Sequence, residues 1–124
     1  MQHGATPEEV NSPYGQVGLH FSLALFNGQY DQAYTDLGSA IAEEWSPALL
    51  KEAYEDMIGY LDGPATAVSV DLVDMLDVEI VDKESDSIMV YISIVGDGDA
   101  EAVTVFVVYE QGRYVIEELE FGRP

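Results

Sequence analysis

Residues 88–109 decide the fold class, and they read IMVYISIVGDGDAEAVTVFVVY. Apolar side chains alternate along the chain on both sides of the Gly-Asp-Gly-Asp segment at 96–99, a pattern typical of two strands joined by a hairpin connection. The pattern predicts an antiparallel hairpin, because so short a connection cannot join parallel strands. One face of the hairpin would carry a regular aliphatic series, namely Ile88, Val90, Ile92, Ile94, Val103, Val105 and Val107.

The opposite face of the same hairpin is also apolar. It would carry Met89, Tyr91 and Val95 from the first strand, with Phe106 and Val108 from the second. A sheet face that is open to water should be polar. We therefore expect the second face to be covered, most simply by a second copy of the chain, which predicts a homodimer through the sheet face.

Two further strands flank the hairpin. On its N-terminal side Val68, Val70 and Leu72 alternate, as do Leu76, Val78 and Ile80, and a polar turn follows at 83–86. On its C-terminal side Gln111-Gly112 turns the chain into a last strand at 113–121. The connections are short, so we expect all the strands to pair antiparallel in chain order.

The last strand contains an irregularity. Tyr114 and Ile116 share one parity, whereas Leu119 and Phe121 share the other. A flat strand would place these two pairs on opposite faces of the sheet. A β-bulge near Glu117-Glu118 would return all four to the core side and bend the sheet, and we predict that bulge.

The first half of the chain has helical periodicity. Ser12-Pro13 and Ser46-Pro47 are helix starts, because Ser caps the first turn and Pro fits it. The pattern predicts helices from Ser12-Pro13 to about Phe26, at 30–37 and from Ser46-Pro47 to about Leu61, with Asn27-Gly28 ending the first. We expect a flexible segment at 1–11 and one domain at 12–124. The fold class is α+β, with three N-terminal helices packed on a curved four-stranded antiparallel sheet.

Charge and composition exclude several classes of function. Twenty-four acidic residues stand against four basic ones, which gives a formal charge of −20. Nucleic acids and anionic membranes need clustered Lys and Arg, so neither is an expected partner. There is no Cys, and no apolar run approaches the ~20 residues that span a bilayer. We expect a soluble cytoplasmic protein whose acidity reflects either a salty environment or a basic partner.

Two short motifs carry a resemblance to a known superfamily. The phrase Asn-Gly-Gln-Tyr-Asp-Gln-Ala-Tyr at 27–34 joins the first two predicted helices, and Tyr-x-Ile-x-x-Leu-x-Phe at 114–121 closes the sheet. From about Ser12 to Gly122 the chain resembles the nuclear transport factor two-like superfamily, which includes the SnoaL-like cyclases. The resemblance implies a cone-shaped, cystatin-like α+β fold. Both motifs recur for reasons of packing, so they concern the fold and not an activity.

Enzymes of that superfamily place an acid–base carboxylate or His in an apolar pocket, where burial moves its pKa toward neutrality. Asp74 interrupts the even-numbered apolar series and would point inward if its strand is regular; a break at Asp74-Met75 is the alternative and the one we favour. His20 lies on or near the apolar stripe of the first helix and is either a base or a hydrogen-bonded core residue. Glu117 would face the cone only in the absence of the bulge.

Aromatic residues could line such a pocket with hydroxyl groups directed at a ligand. Tyr34, Tyr54, Tyr91 and Trp45 are the candidates, and ordinary packing is the alternative that we favour. Asp97, Asp99 and Glu101 concentrate three carboxylates at the hairpin connection, but they lack the ligand spacing of an EF-hand loop. We predict a solvated turn there, with no metal site and no cofactor.

Three functional hypotheses follow. The first is a non-catalytic domain that binds a ligand or another protein, acts as a homodimer, and takes a small apolar ligand or a basic protein as its partner. The second is a small-molecule isomerase or dehydratase, with Asp74 or His20 as the proton carrier and a Tyr as the hydroxyl donor. The third is an acidic immunity-type protein that antagonises a basic toxin.

Overall fold

A computed structural model of the chain describes residues 7–73 and 87–122, except the side chain of Glu9. Five helical segments precede four strands within this part of the chain, so the α+β class is confirmed. The helices are α1 (Pro7–Val10), α2 (Pro13–Phe26), α3 (Tyr30–Tyr34), α4 (Ser39–Ala42) and α5 (Pro47–Ile58). The strands are β1 (Ala67–Val73), β2 (Ile88–Val95), β3 (Ala100–Glu110) and β4 (Arg113–Phe121).

The two long helices begin where the Ser-Pro pairs predict. The Ser12 hydroxyl accepts a hydrogen bond from the Gly15 amide at 3.2 Å, and the Ser46 hydroxyl accepts one from the Leu49 amide at 3.1 Å. Both bonds satisfy amides that lack a partner within the helix. At the end of α2, Gly28 adopts a φ of +75°, a left-handed conformation that Gly enters without steric cost.

The second predicted helix is shorter than its pattern indicates. α3 ends at Tyr34 instead of Leu37, because the backbone that follows pairs with the edge of β4. The Ile116 amide donates to the Asp36 carbonyl at 2.8 Å, and the Gly38 amide donates to the Ile116 carbonyl at 2.7 Å. The predicted helix at 30–37 is therefore wrong in its last turn, where the amides of residues 35–37 donate to carbonyls three residues back instead of four. The predicted count of three helices is also wrong, because the described residues form the four-residue helices α1 and α4 as well.

The sheet has the predicted topology. Its strands lie in the order β1-β2-β3-β4, and each neighbouring pair is antiparallel. The predicted bulge in β4 is confirmed, because Val107 pairs with Ile116 while Phe106 pairs with Glu118, which leaves Glu117 as the extra residue. Ile116 and Leu119 are consequently both buried although their parities differ.

A second bulge, in β1, is absent from the predictions. Val70 lies opposite Ile92 and Leu72 lies opposite Tyr91, so Asp71 is the extra residue. The bulge reverses the parity of the strand, so that Val73 is buried and Leu72 is 45% exposed. The prediction that Leu72 continues the buried series of Val70 is therefore wrong. The predicted strand residues at 76–80 and the predicted turn at 83–86 lie outside the described residues.

The core lies between α2 and one face of the sheet. α2 contacts all four strands, and it comes closest at Gly18, where an added Cβ would stand 2.8 Å from Cγ1 of Val90. α3 and α5 close the side of this layer. In the part of the chain described, no helix combines the length and the apolar character that a membrane crossing requires. The largest fully buried side chains are Phe21, Leu25, Leu50, Ile92, Ile94 and Ile116.

Candidate functional site

The face of the sheet opposite α2, called the outer face below, is apolar at its centre. Met89 of β2 pairs with Phe106 of β3, and Tyr91 pairs with Thr104, so these side chains form one continuous surface. Leu72 extends the surface onto β1 beside Tyr91. Met89, Tyr91 and Phe106 are each partly exposed, whereas the smaller residues between them, such as Thr104, are buried. Aromatic and sulfur-containing side chains of this kind are enriched at protein interfaces.

An acidic residue is fixed beside this apolar surface. Asp71, the bulged residue of β1, accepts a hydrogen bond from the Ser69 hydroxyl at 2.9 Å and another from the Ser93 hydroxyl. Ser69 and Ser93 pair directly across the β1–β2 ladder. Sequence reasoning missed Asp71, and the available signal was a lone acid between Val70 and Leu72. β-bulges of this type often re-aim a side chain next to a functional surface.

A cleft opens at the other side of the molecule, between α5 and the ends of β3 and β4, and is called the terminal cleft below. Its volume is about 670 Å³, within the range of small-molecule sites, roughly 300–1,000 Å³. Met57 and Glu101 are buried in its wall, whereas Tyr60 is 81% exposed. The residues that line it are Ala53, Asp56, Met57, Tyr60, Glu101, Phe121 and Gly122.

Trp45 lies beside the terminal cleft. Its ring centroid is 5.7 Å from that of Phe121, which lines the cleft, and the two planes are inclined by 52°. Trp45 is the single Trp of the chain. Its fluorescence is therefore expected to respond to any ligand that changes the position or the hydration of Phe121.

A second groove, of about 530 Å³, lies near the β3–β4 turn and is lined in part by Tyr34. The Tyr34 hydroxyl donates to the Ala42 carbonyl at 2.8 Å, which is the packing role that we favoured for it. The Glu110 carboxylate accepts from the amide and the hydroxyl of Ser39, at 3.3 and 3.0 Å, at the start of α4. These bonds tie α4 to α3 and to the end of β3. The Tyr34 hydroxyl and the Glu110 carboxylate therefore already have structural partners.

His20 lies at the surface and outside the core, with 53% of its side chain exposed. Its Nδ1 is 2.5 Å from Oδ2 of Asp36, so the carboxylate orients the imidazole ring. Burial raises the pKa of the Asp36 carboxyl above its usual value, although the hydrogen bond from His20 and the nearby Arg113 offset part of that effect. His20 lines none of the three clefts described in this section.

The third cleft, about 560 Å³, lies on the β3–β4 hairpin and contains Tyr109 and Glu117. Glu117 is exposed there as the bulged residue, so it does not face the core. Tyr109 packs instead against Tyr114, with ring centroids 5.0 Å apart.

Tyr54 is buried in the helix layer, where its ring lies 6.5 Å from that of Tyr30. Burial, reinforced by Tyr30, raises the pKa of the Tyr54 hydroxyl to about 12, so this group stays protonated at neutral pH. Tyr91 belongs to the outer face. Tyr34, Tyr54 and Trp45 thus belong to the core or pack against it, and none of the three clefts described in this section contains more than one of the four predicted aromatics or His20. Asp74 lies outside the described residues.

The three carboxylates of the β2–β3 connection differ in their surroundings, and Asp99 has a structural role through its contact with Asp62. Asp99 accepts from the Asp62 amide at 3.2 Å, and its carbonyl accepts from the Gly96 amide at 2.8 Å. Asp97 is exposed at the turn, and Glu101 points to the terminal cleft. Among residues 7–73 and 87–122, no group of three or more His, Asp or Glu side chains is placed to hold a metal ion.

Comparison with known proteins returned no matching family model, no matching curated protein and no matching solved structure. The resemblance to the nuclear transport factor two-like superfamily therefore stays a prediction.

Proposed function

We propose that this protein is a non-catalytic binding domain that acts as a homodimer, with the outer face of the sheet as the subunit interface. The observation that carries the proposal is the apolar centre of this face. Met89, Tyr91 and Phe106 form it, and Leu72 beside them is 45% exposed. A solvated sheet face is normally polar, so an apolar one favours a covering partner.

The composition of this face suits a second copy as the partner. A two-fold dimer apposes the same patch from each subunit, and aromatic side chains then fill the spaces above small residues such as Ala102 and Thr104. Each buried aromatic removes roughly 150–250 Å² from water, at about 25 cal/mol per Å². Glu118 and Glu120 are exposed on β4, at one edge of the patch, where their charges can stay hydrated at an interface rim.

Sedimentation of the purified chain tests the dimer. We expect a dimer at micromolar concentration, and we expect Tyr91→Glu to convert it to a monomer, because the substitution buries a charge at the centre of the interface. Leu72→Glu provides a second test at a more exposed position of the same face. Gln32→Glu is the matched control, because it adds the same charge at an exposed position of α3.

Two results would contradict this proposal. A wild-type chain that sediments only as a monomer at tens of micromolar would exclude the homodimer. A dimer that survives both Tyr91→Glu and Leu72→Glu, in variants whose circular dichroism matches that of the wild type, would place the interface elsewhere.

The formal charge of −20 favours a second candidate, the acidic antagonist of a basic protein. Salt distinguishes the two kinds of complex, because screening strengthens the association of like-charged subunits and weakens that of opposite charges. The isomerase or dehydratase hypothesis, with Asp74 or His20 as the proton carrier, stays a prediction, and the exposure of His20 argues against it.

A further inference from the structure

The terminal cleft combines an apolar surface with two carboxylates. Met57 and Phe121 supply the apolar part, and Ala53 extends it along α5. Asp56 stands on the same helix one turn beyond Ala53, and Glu101 projects from β3 on the side of the sheet that faces the helices, opposite Ile94. Glu101 is only 8% exposed, so a ligand that enters the cleft meets a carboxylate in a partly desolvated setting.

Tyr60 is the most exposed large apolar side chain among the described residues. It lies two residues beyond the end of α5 and lines the terminal cleft together with Met57 and Phe121. A Tyr ring with its faces in solvent costs hydrophobic free energy that closure over a ligand would recover. The ring face also attracts cations, through its quadrupole, at separations of up to about 6 Å.

We propose that the terminal cleft binds an alkylammonium group, with the ammonium between Asp56 and Glu101 and the alkyl chain on Met57 and Phe121 under Tyr60. Two acids repel an anion, and a neutral alkane offers the two carboxylates no hydrogen-bond donor. A charged donor forms charge-assisted bonds with them. The apolar side chains of Met57 and Phe121 beside the two acids favour an organic cation, whose alkyl chain can pack on them.

This ligand class has two sources, a free amine or the side chain of a lysine on a basic protein. The inference rests on the proposed role as a binding domain, but it does not depend on the dimer. Glu101 and Phe121 pair with Ile94 and Val103, which belong to the helix side of the sheet, whereas the proposed interface is the outer face. Ligand binding and dimerisation can therefore succeed or fail independently.

Titration of the full chain, followed by the fluorescence of Trp45, tests the proposal. The probes are hexylamine, which is protonated at neutral pH, and an N-acetyl-lysine amide, with hexanol and hexanoate as the neutral and anionic matches of hexylamine. We expect a saturable change in Trp45 emission with hexylamine, with the lysine amide, or with both, and a response at least about tenfold weaker with hexanol and hexanoate. Binding of hexylamine alone identifies a free amine as the ligand, and binding of the lysine amide alone identifies a protein side chain.

Variants locate the site. We expect Asp56→Asn to weaken the binding several-fold and Glu101→Gln to weaken it about tenfold or more, because the Glu101 carboxylate is less screened by water. Asp31→Asn is the matched control, since it removes one charge from an exposed position of α3 and should leave the affinity within about twofold. If Glu101→Gln does not fold, Asp56→Asn and Tyr60→Ala still test the location of the site, since both positions are exposed.

Three results would overturn the proposal. The first is equal binding of hexylamine and hexanol, and the second is no saturable response to either amine probe. The third is an equal loss of affinity in Asp56→Asn and Asp31→Asn, which would indicate attraction by net charge alone. Sedimentation of the same samples reports separately on the dimer, so a failure of this inference is distinguishable from a failure of the proposed interface.

Discussion

The two faces of β2 differ more than their residue types suggest. On the helix side Val90, Ile92 and Ile94 are completely buried, whereas on the outer face Met89 and Tyr91 remain partly exposed. Both faces are apolar by sequence, yet only one has α2 packed on it. The comparison teaches that one strand can serve two purposes, since one face holds the chain together and the other stays available for a partner.

The largest expected effect tests the helix side. Ile92→Ala should lower the free energy of unfolding by about 2–5 kcal/mol, because it removes fully buried atoms and leaves a cavity. Tyr91→Ala, one residue away on the outer face, should lower the free energy of unfolding clearly less than Ile92→Ala does. Both should be compared in a monomeric variant such as Leu72→Glu. Urea unfolding of both variants measures the difference. Equal losses would show that the two faces contribute equally to folding of the single chain.

The contact between α2 and the sheet predicts the next largest effect. Gly18→Ala should destabilise the protein by about 1–3 kcal/mol, because the new Cβ would stand 2.8 Å from Cγ1 of Val90. This loss should exceed the ~1 kcal/mol that Ala gains over Gly inside a helix. Thermal unfolding measures it, and an unchanged or higher melting temperature would contradict so close an approach.

Salt tests the outer face without any mutation. Raising NaCl from 0.1 M to 1 M shortens the Debye length from about 10 Å to about 3 Å. Two subunits that each carry a charge of −20 should then associate about tenfold more tightly, as measured by sedimentation equilibrium. A dimer that weakens with salt would indicate an interface held by charge pairs instead of apolar contact.

Ser22 lies one turn beyond Gly18 on α2, and its substitution by Ala should raise the free energy of unfolding instead of lowering it. The Ser22 hydroxyl is fully buried and has no hydrogen-bond partner. Ser22→Ala should therefore raise the free energy of unfolding by about 1 kcal/mol, since it removes an unpaired polar group from the interior. Urea unfolding beside Gly18→Ala checks the pair, and a loss of stability would show that the hydroxyl has a bonding role.

The smallest expected effect is the pH dependence of stability that comes from the Asp36 carboxyl. Burial raises the pKa of Asp36, so the folded state binds its proton more tightly than the unfolded chain does. This group's contribution to stability is complete below the ordinary Asp pKa of 3.8 and is lost as the pH rises through the raised value. The stability of the wild type relative to Asp36→Asn should therefore decline over that interval, as urea unfolding at a series of pH values would measure. A relative stability that rises with pH would contradict it.

Local sequence signals predicted much of the fold. Ser12, Ser46 and Gly28 mark helix ends through bonds and dihedral angles that involve only their near neighbours, so a sequence pattern can reveal them. The β4 bulge was predictable because Ile116 and Leu119 change parity within one strand. The bulge at Asp71 left only the lone acid between Val70 and Leu72 as a signal, since Leu72 and Val73 are both apolar and either could have been the buried residue.

The candidate site was less predictable, because its residues come from distant segments. Asp56 and Glu101 belong to the terminal cleft only because the end of α5 packs beside the ends of β3 and β4. Trp45 was predicted to line a pocket. It lies beside the terminal cleft, where its ring packs against that of Phe121. His20 was placed near an apolar stripe, but the buried face of α2 includes Gly18 and Ser22, which an apolar pattern does not count, and His20 lies at the surface beside Asp36.

The sequence by itself determined the class of the fold, the order and direction of the strands, and the excess of negative charge that any partner must meet. These properties follow from period, turn chemistry and composition, each of which depends on residues close together in the chain. Only the tertiary structure decided where α3 gives way to pairing with β4, which residue of β1 bulges, and which carboxylates and aromatic rings share a cleft. Such features depend on contacts between segments that are far apart in sequence, where several local choices are nearly equal in free energy and packing selects one.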